Sequence, residues 1–280
     1  MADRLDLTDL HSLTTAVASR RRFMSALGAV GAGVAASSLL AACSKSTTEP
    51  TGSSGSSAAL DLQIISAAAT AEALASVMYD NIIKTSPAYA SLAGIAADDQ
   101  AYLVAGRQQE AIHYATLVGA GAKPLTLSFY FPTGMFSDPT GATTINTLIT
   151  LEDAFIAAYL IGVRDLSTDA LKTLAAQILG IECEHRALGR VIANDLSIGA
   201  TTGLSGTAES VVPPNHAPNN LAFERTFSTA LPDISHVVAA LAPFTTAGSS
   251  GFDSTVFAFN TSSNFYISES PSVSLDDTTP

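Results

Sequence analysis

Between residues 60 and 197, apolar side chains return every three or four positions, the period of helices that turn one face to a core. Four such stretches are separated by breaks. The first covers residues 60 to 84 and is ended by Pro87. Asp98-Asp99 offers an N-cap for the second, which runs to about Val118 before Gly119 and Gly121. Residues 121 to 144 carry three prolines and the run Leu125-Thr-Leu-Ser-Phe-Tyr-Phe, with no helical period. A third stretch spans residues 144 to 166, and Ser167-Thr168-Asp169 caps a fourth that reaches about Leu196. The short first break makes helices one and two antiparallel neighbours. The segment before helix three is long enough to cross the bundle, because a helix of ~23 residues is only ~35 Å long. The pattern predicts an all-α fold: an up-down four-helix bundle with a long crossover between helices two and three.

Each apolar seam is interrupted by polar residues at core positions. In the fourth helix the seam reads Ile178, Glu182, His185, Gly189, Ile192, Leu196. In the second it reads Leu103, Gly106, Glu110, His113, Leu117. Helices one and three each carry a single glutamate on the seam, Glu72 between Ala69 and Ser76 and Glu152 between Leu148 and Ile156. A buried carboxylate costs several kcal/mol or takes up a proton unless a cation lies beside it. The order Glu, Glu-x-x-His, Glu, Glu-x-x-His therefore supplies four carboxylates and two imidazoles for two divalent ions, the inventory of a dimetal-carboxylate site inside a four-helix bundle.

On these six residues the chain resembles the ferritin-like superfamily over residues 60 to 197. Leu221-Ala-Phe-Glu-Arg-Thr-Phe and Val237-Val-Ala-Ala-Leu-Ala-Pro-Phe are similar to the tail of the exported ferritin-like proteins grouped with desiccation-related proteins. The resemblance implies a pair of iron or manganese ions, bridged by Glu110 or Glu182 and each ligated by one histidine. Carboxylate and neutral imidazole suit both metals and disfavour copper or structural zinc. Such a pair implies redox chemistry on metal ions and O2 or peroxide. The alternative is a non-catalytic stress protein of the cell envelope in which metal only holds the bundle together. A closed iron-storage cage fits less well, since a lipid leash and a long extension would have to be accommodated on its shell. Tyr79 and Tyr159 each lie seven residues after a seam glutamate, so the two helical hairpins look like a duplication. Each phenol is either a core tyrosine with a satisfied hydroxyl or a hydrogen-bond donor and electron relay at the site.

Outside the bundle, residues 1 to 43 form an address. Ser19-Arg20-Arg21-Arg22-Phe23-Met24 looks like a twin-arginine export signal, followed by a Gly- and Ala-rich apolar run. That run ends in Leu40-Ala41-Ala42-Cys43, which resembles a lipoprotein cleavage box with Cys43 as the lipidated residue, and so argues against a retained membrane anchor. Residues 44 to 59 read as a flexible tether, whose contour reaches ~50 Å. The expected location is periplasmic or on the cell surface, with the membrane reached through Cys43. Removing residues 1 to 42 takes away four arginines and three aspartates, which moves the net charge from -12 to -13. Such a surface disfavours nucleic acid. A homo-oligomer is compatible with the sequence.

Residues 198 to 280 form an extension of loop and short helices, 221 to 230 and 234 to 242, with alternation over 254 to 268 suggesting a hairpin. His216 and His236 lack partners at ligand spacing. Asp153 and Glu184 point away from the seam, toward solvent or toward Arg186 and Arg190. Cys183 reads as a small buried residue with no disulfide partner.

Overall fold

A computed structural model describes residues 54–94, 96–198, 231–262 and 265–267. The export signal, Cys43, His216 and the stretch 221–230 lie outside the described residues. Among the described residues there are six α-helices. The first, α1, spans Ser54–Thr85 and begins six residues ahead of the expected Leu60, so the end of the expected tether is helical. Pro87 ends α1 as expected, but the chain does not become a loop. Pro87 instead opens a short helix, α2 (Pro87–Leu92), whose N-cap Ser86 accepts a hydrogen bond from the Ala88 amide. Helix α3 spans Ala97–Gly119. Its N-cap is Ala96, so Asp98 and Asp99 are first-turn residues facing the positive end of the helix, not the predicted caps.

Helices α4 (Ala142–Asp165) and α5 (Asp169–Asp195) complete the bundle. Thr168 caps α5 by accepting from the Leu171 amide, as the sequence leads one to expect. The preceding Ser167 donates through its amide and its hydroxyl to the two oxygens of Asp61, which ties the α4–α5 turn to the start of α1. Helix α1 packs chiefly on α3, and α4 chiefly on α5, so the bundle is two helical hairpins laid together. Helices α1 and α4 are long and apolar enough to cross a membrane, but 83% and 78% of their apolar windows are buried inside the bundle. Their hydrophobicity is that of central core helices.

The crossover runs from Gly121 to Gly141 and is fastened at both ends. At its start, the Lys123 and Leu125 amides donate to Ser66 Oγ and Thr70 Oγ1 of α1, each at 2.9 Å. At its end, Gly141 has φ +71° and lies so close to α2 that a Cβ there would sit 2.5 Å from Ala88 Cβ. Only glycine meets both conditions. In between, β1 (Ser128–Phe129) pairs antiparallel with β2 (Phe257–Ala258) from the extension, Ser128 opposite Ala258 and Phe129 opposite Phe257. The expected hairpin within 254–268 is thus replaced by pairing with the crossover. The reason is apolar: Phe131 of the crossover meets Phe244 and Phe257 edge to face, and this cluster would be exposed without the extension. Helix α6 (Ile234–Thr245), capped by Asp233 and with Pro243 inside it, lies in the extension and runs three residues beyond the predicted short helix.

Candidate metal centre

The six residues singled out on the seams meet in the middle of the bundle. Glu72 comes from α1, Glu110 and His113 from α3, Glu152 from α4, and Glu182 and His185 from α5. All four glutamates are buried, three of them completely. His113 Nδ1 lies 3.3 Å from Glu72 Oε2, 3.2 Å from Glu182 Oε1 and 3.6 Å from Glu110 Oε2. His185 Nδ1 lies 2.9 Å from Glu110 Oε1, 3.6 Å from Glu182 Oε2 and 3.9 Å from Glu152 Oε2. These atoms form two overlapping groups, Glu72–Glu110–His113–Glu182 and Glu110–Glu152–Glu182–His185, each with its ligand atoms within 4.8 Å of one another. Glu110 and Glu182 belong to both groups, so each can present one oxygen to either side.

Polar atoms packed this way are not satisfied by protein. Six carboxylate oxygens (Glu72 Oε2, both of Glu110, Glu152 Oε2, both of Glu182) and the Nδ1 atoms of both histidines are buried without a hydrogen-bond partner. Each such atom costs about 1–3 kcal/mol. The electrostatics point the same way. Burial, followed by the charges of Glu182 and Glu72, pushes Glu110 well above the ordinary carboxylate range. Burial raises Glu152 likewise, against the pull of His185. Glu182 goes the other way: burial opposes its ionisation, but contact with His113 and His185 holds it down at about 2. Burial works against protonation of His185, yet contact with Glu182 and the charge of Glu152 carry it up to about 9. Burial opposes protonation of His113 too, but the Glu72 charge together with contacts to Glu110, Glu182 and Glu72 carries it well above its ordinary value. Protons therefore stand in for cations among these groups. Carboxylate and imidazole groups gathered in this way, once deprotonated, fit divalent cations.

The groups around the ligands were only partly legible beforehand. Tyr79 and Tyr159 do bind carboxylates, but not those of their own helices. Tyr79 Oη donates to Glu152 Oε1 at 2.8 Å, and Tyr159 Oη donates to Glu72 Oε1. Seven residues carry a helix ~10.5 Å along its axis, too far for a phenol to reach back to its own glutamate. Because α1 and α4 run in opposite directions past the site, each tyrosine draws level with the other helix's carboxylate. Burial, then the neighbouring glutamate, raises both phenols well above their ordinary value, so they remain donors. Gly106 lets α3 approach the Tyr79 ring, since a Cβ there would lie 3.0 Å from Tyr79 Cε1. Gln109, unremarked in the sequence because it lies beside the motif, places Oε1 2.9 Å from His185 Nε2.

Two buried ion pairs brace the helices. Asp153 and Arg186 meet at 2.9 Å across α4 and α5, and Asp80 and Arg107 at 3.0 Å across α1 and α3. Pairing with Arg186 was one expectation for Asp153, but a solvated position was the other, and its complete burial corrects that. Cys183 is exposed rather than buried, since one step past Glu182 turns the side chain ~100° out of the seam. His236 places Nδ1 2.8 Å from Asp233 Oδ1 in the capping turn. Toward the Glu72 end, Ile64, Ile65, Ala69, Leu117 and Ile178 form one apolar cluster with Tyr159.

A search of the curated proteins finds no match to this chain. Residues 60–195 match the family model described as the ferritin-like domain, and this range begins within α1 and ends at the last residue of α5. Over that range the chain is similar to the ferritin-like domain, in keeping with its helical bundle and its buried carboxylate-histidine groups at metal-binding distance.

Proposed function

We propose that the bundle holds two iron or manganese ions and uses them for redox chemistry on metal ions, O2 or peroxide, in a protective role. The observation that carries this reading is the pair of overlapping ligand groups whose buried oxygens and Nδ1 atoms have no protein partner. When bound, such a pair supplies two one-electron centres side by side. The protein's own contribution is to fix the donors: Glu110 and Glu182 shared, Glu72 with His113 on one side, Glu152 with His185 on the other. Tyr159 and Tyr79 hold the terminal glutamates by their second oxygens, and as buried phenols they are also suited to pass an electron.

Metal analysis of protein folded with ferrous or manganous ion tests the site, with close to two ions per chain expected and fewer than one counting against it. Oxidation of ferrous ion and consumption of peroxide, compared with buffer, test the chemistry. The near-complete burial of the ligands favours a second reading, in which the ions only hold the bundle together. Loaded protein that turns over neither substrate supports that reading. The twin-arginine motif and Cys43 further support export as a membrane-tethered lipoprotein, tested by whether Cys43→Ala releases the protein from the membrane fraction.

A further inference from the structure

The two halves of the site are built alike but not braced alike. Glu72 and Glu152 each receive one tyrosine hydroxyl, so the carboxylates are matched. The histidines are not. His185 has Gln109 Oε1 at its outer nitrogen and the Tyr79 ring 5.7 Å away, and its side chain is 4% exposed. His113 is 11% exposed, with no hydrogen-bond partner at its outer nitrogen among the described residues. The difference is already written in the two motifs. Gln109 precedes Glu110 in the first Glu-x-x-His, and the matching position before Glu182 is Ile181, whose side chain has nothing to accept with.

In the neutral ring that a cation requires, an acceptor at Nε2 keeps the remaining proton there and leaves the Nδ1 lone pair for the ion beside Glu110 and Glu182. It also fixes the ring plane, so His185 loses little freedom when it takes a cation. His113 has neither constraint, and its edge is the part of the ligand set that reaches solvent.

We infer that Gln109 is a positioning residue that makes the two ion positions unequal: the Glu152–His185 position fills first and holds its ion, and the Glu72–His113 position fills second and exchanges with solvent. This rests on the metal-binding reading above, and concerns the order and strength of binding, not turnover.

Titration of the full chain with manganous ion, following the EPR signal of the free ion, reads the two steps separately. The expected result is two steps differing by about tenfold or more in affinity. Glu152→Gln should remove the tighter step and Glu72→Gln the weaker. Gln109→Leu should weaken the tighter step by about 10–100-fold while leaving the other in place, so that the two merge. Gln109→Glu, which keeps an acceptor at the same place, should preserve the gap. Equal steps in the unmodified protein would overturn the inference. So would a Gln109→Leu variant that weakens both steps alike or neither, or loss of the tight step in Glu72→Gln. Absence of any manganese binding would overturn the metal-binding reading itself, and this inference with it, whereas the preceding outcomes leave that reading standing.

Discussion

Replacing Glu110 by glutamine should have opposite effects on stability with and without metal. Both Glu110 oxygens are buried and unpartnered, and its carboxyl is driven toward the neutral form by burial and by Glu182 and Glu72. Glutamine keeps the shape, removes the charge and brings an amide donor that Glu72 or Glu182 can accept. Relief of one such buried acceptor is worth about 1–3 kcal/mol. For a domain of this size, 1 kcal/mol moves the melting temperature by about 2–4 °C. In chelator, then, Glu110→Gln should melt at the same temperature as the unmodified protein or several degrees above it. With metal the order reverses. A ligand at a hundred times its Kd stabilises by about 2.7 kcal/mol, and a variant missing the carboxylate shared by both ligand groups forfeits most of that. The assay is thermal unfolding followed by far-ultraviolet circular dichroism, run with chelator and with excess manganous ion. If Glu110→Gln were destabilised by several degrees in chelator and responded to manganese as the unmodified protein does, the argument that these carboxylates are held together for a cation would fail.

Other expectations are quick to check. Manganese binding near pH 7 should release protons, because His185, raised to about 9, is protonated before it can ligate; calorimetry in buffers of different ionisation enthalpy counts them, and affinity should rise with pH up to about 9. Asp99 is raised to about 6 by burial and by Asp195, so its ionisation opposes folding above that pH, and the cost disappears below its unfolded value of 3.8. Asp99→Asn should therefore raise the melting temperature at pH 8 and leave it unchanged below pH 4. Two glycines of α5 should behave oppositely. At Gly180 a Cβ meets nothing within 4 Å, so Gly180→Ala should stabilise by about 0.5–1 kcal/mol. At Gly189 a Cβ would lie 2.9 Å from Ile149 Cγ1, so Gly189→Ala should destabilise by about 1–3 kcal/mol in urea unfolding, as overpacking does.

That these six residues would gather inside the bundle was legible because a charged residue on an otherwise apolar seam has few physical excuses, and four seams share the same excuse in alternating order. Helix limits were legible where turn chemistry is local, at Pro87 and at Thr168. What could not be read depends on how helices lie against one another. The tyrosine–glutamate pairs are crossed because neighbouring helices run in opposite directions, a fact that spacing along one helix does not contain. Asp153 was half misjudged because α4 is buried on nearly every side, so a position off the seam still points into protein, whereas Cys183 on the outer helix α5 points to solvent. Gln109 acts through a contact with another helix, and the pairing of β1 with β2 joins segments more than a hundred residues apart.

The exchanged phenols bear on how such a molecule came to exist. Each hairpin carries a glutamate it cannot serve and a hydroxyl it cannot use, and both wants are met only by a second hairpin turned end for end. A single ancestral hairpin would have found that complement in its own twin, so pairing of two identical chains would have preceded the fusion that put both halves on one backbone.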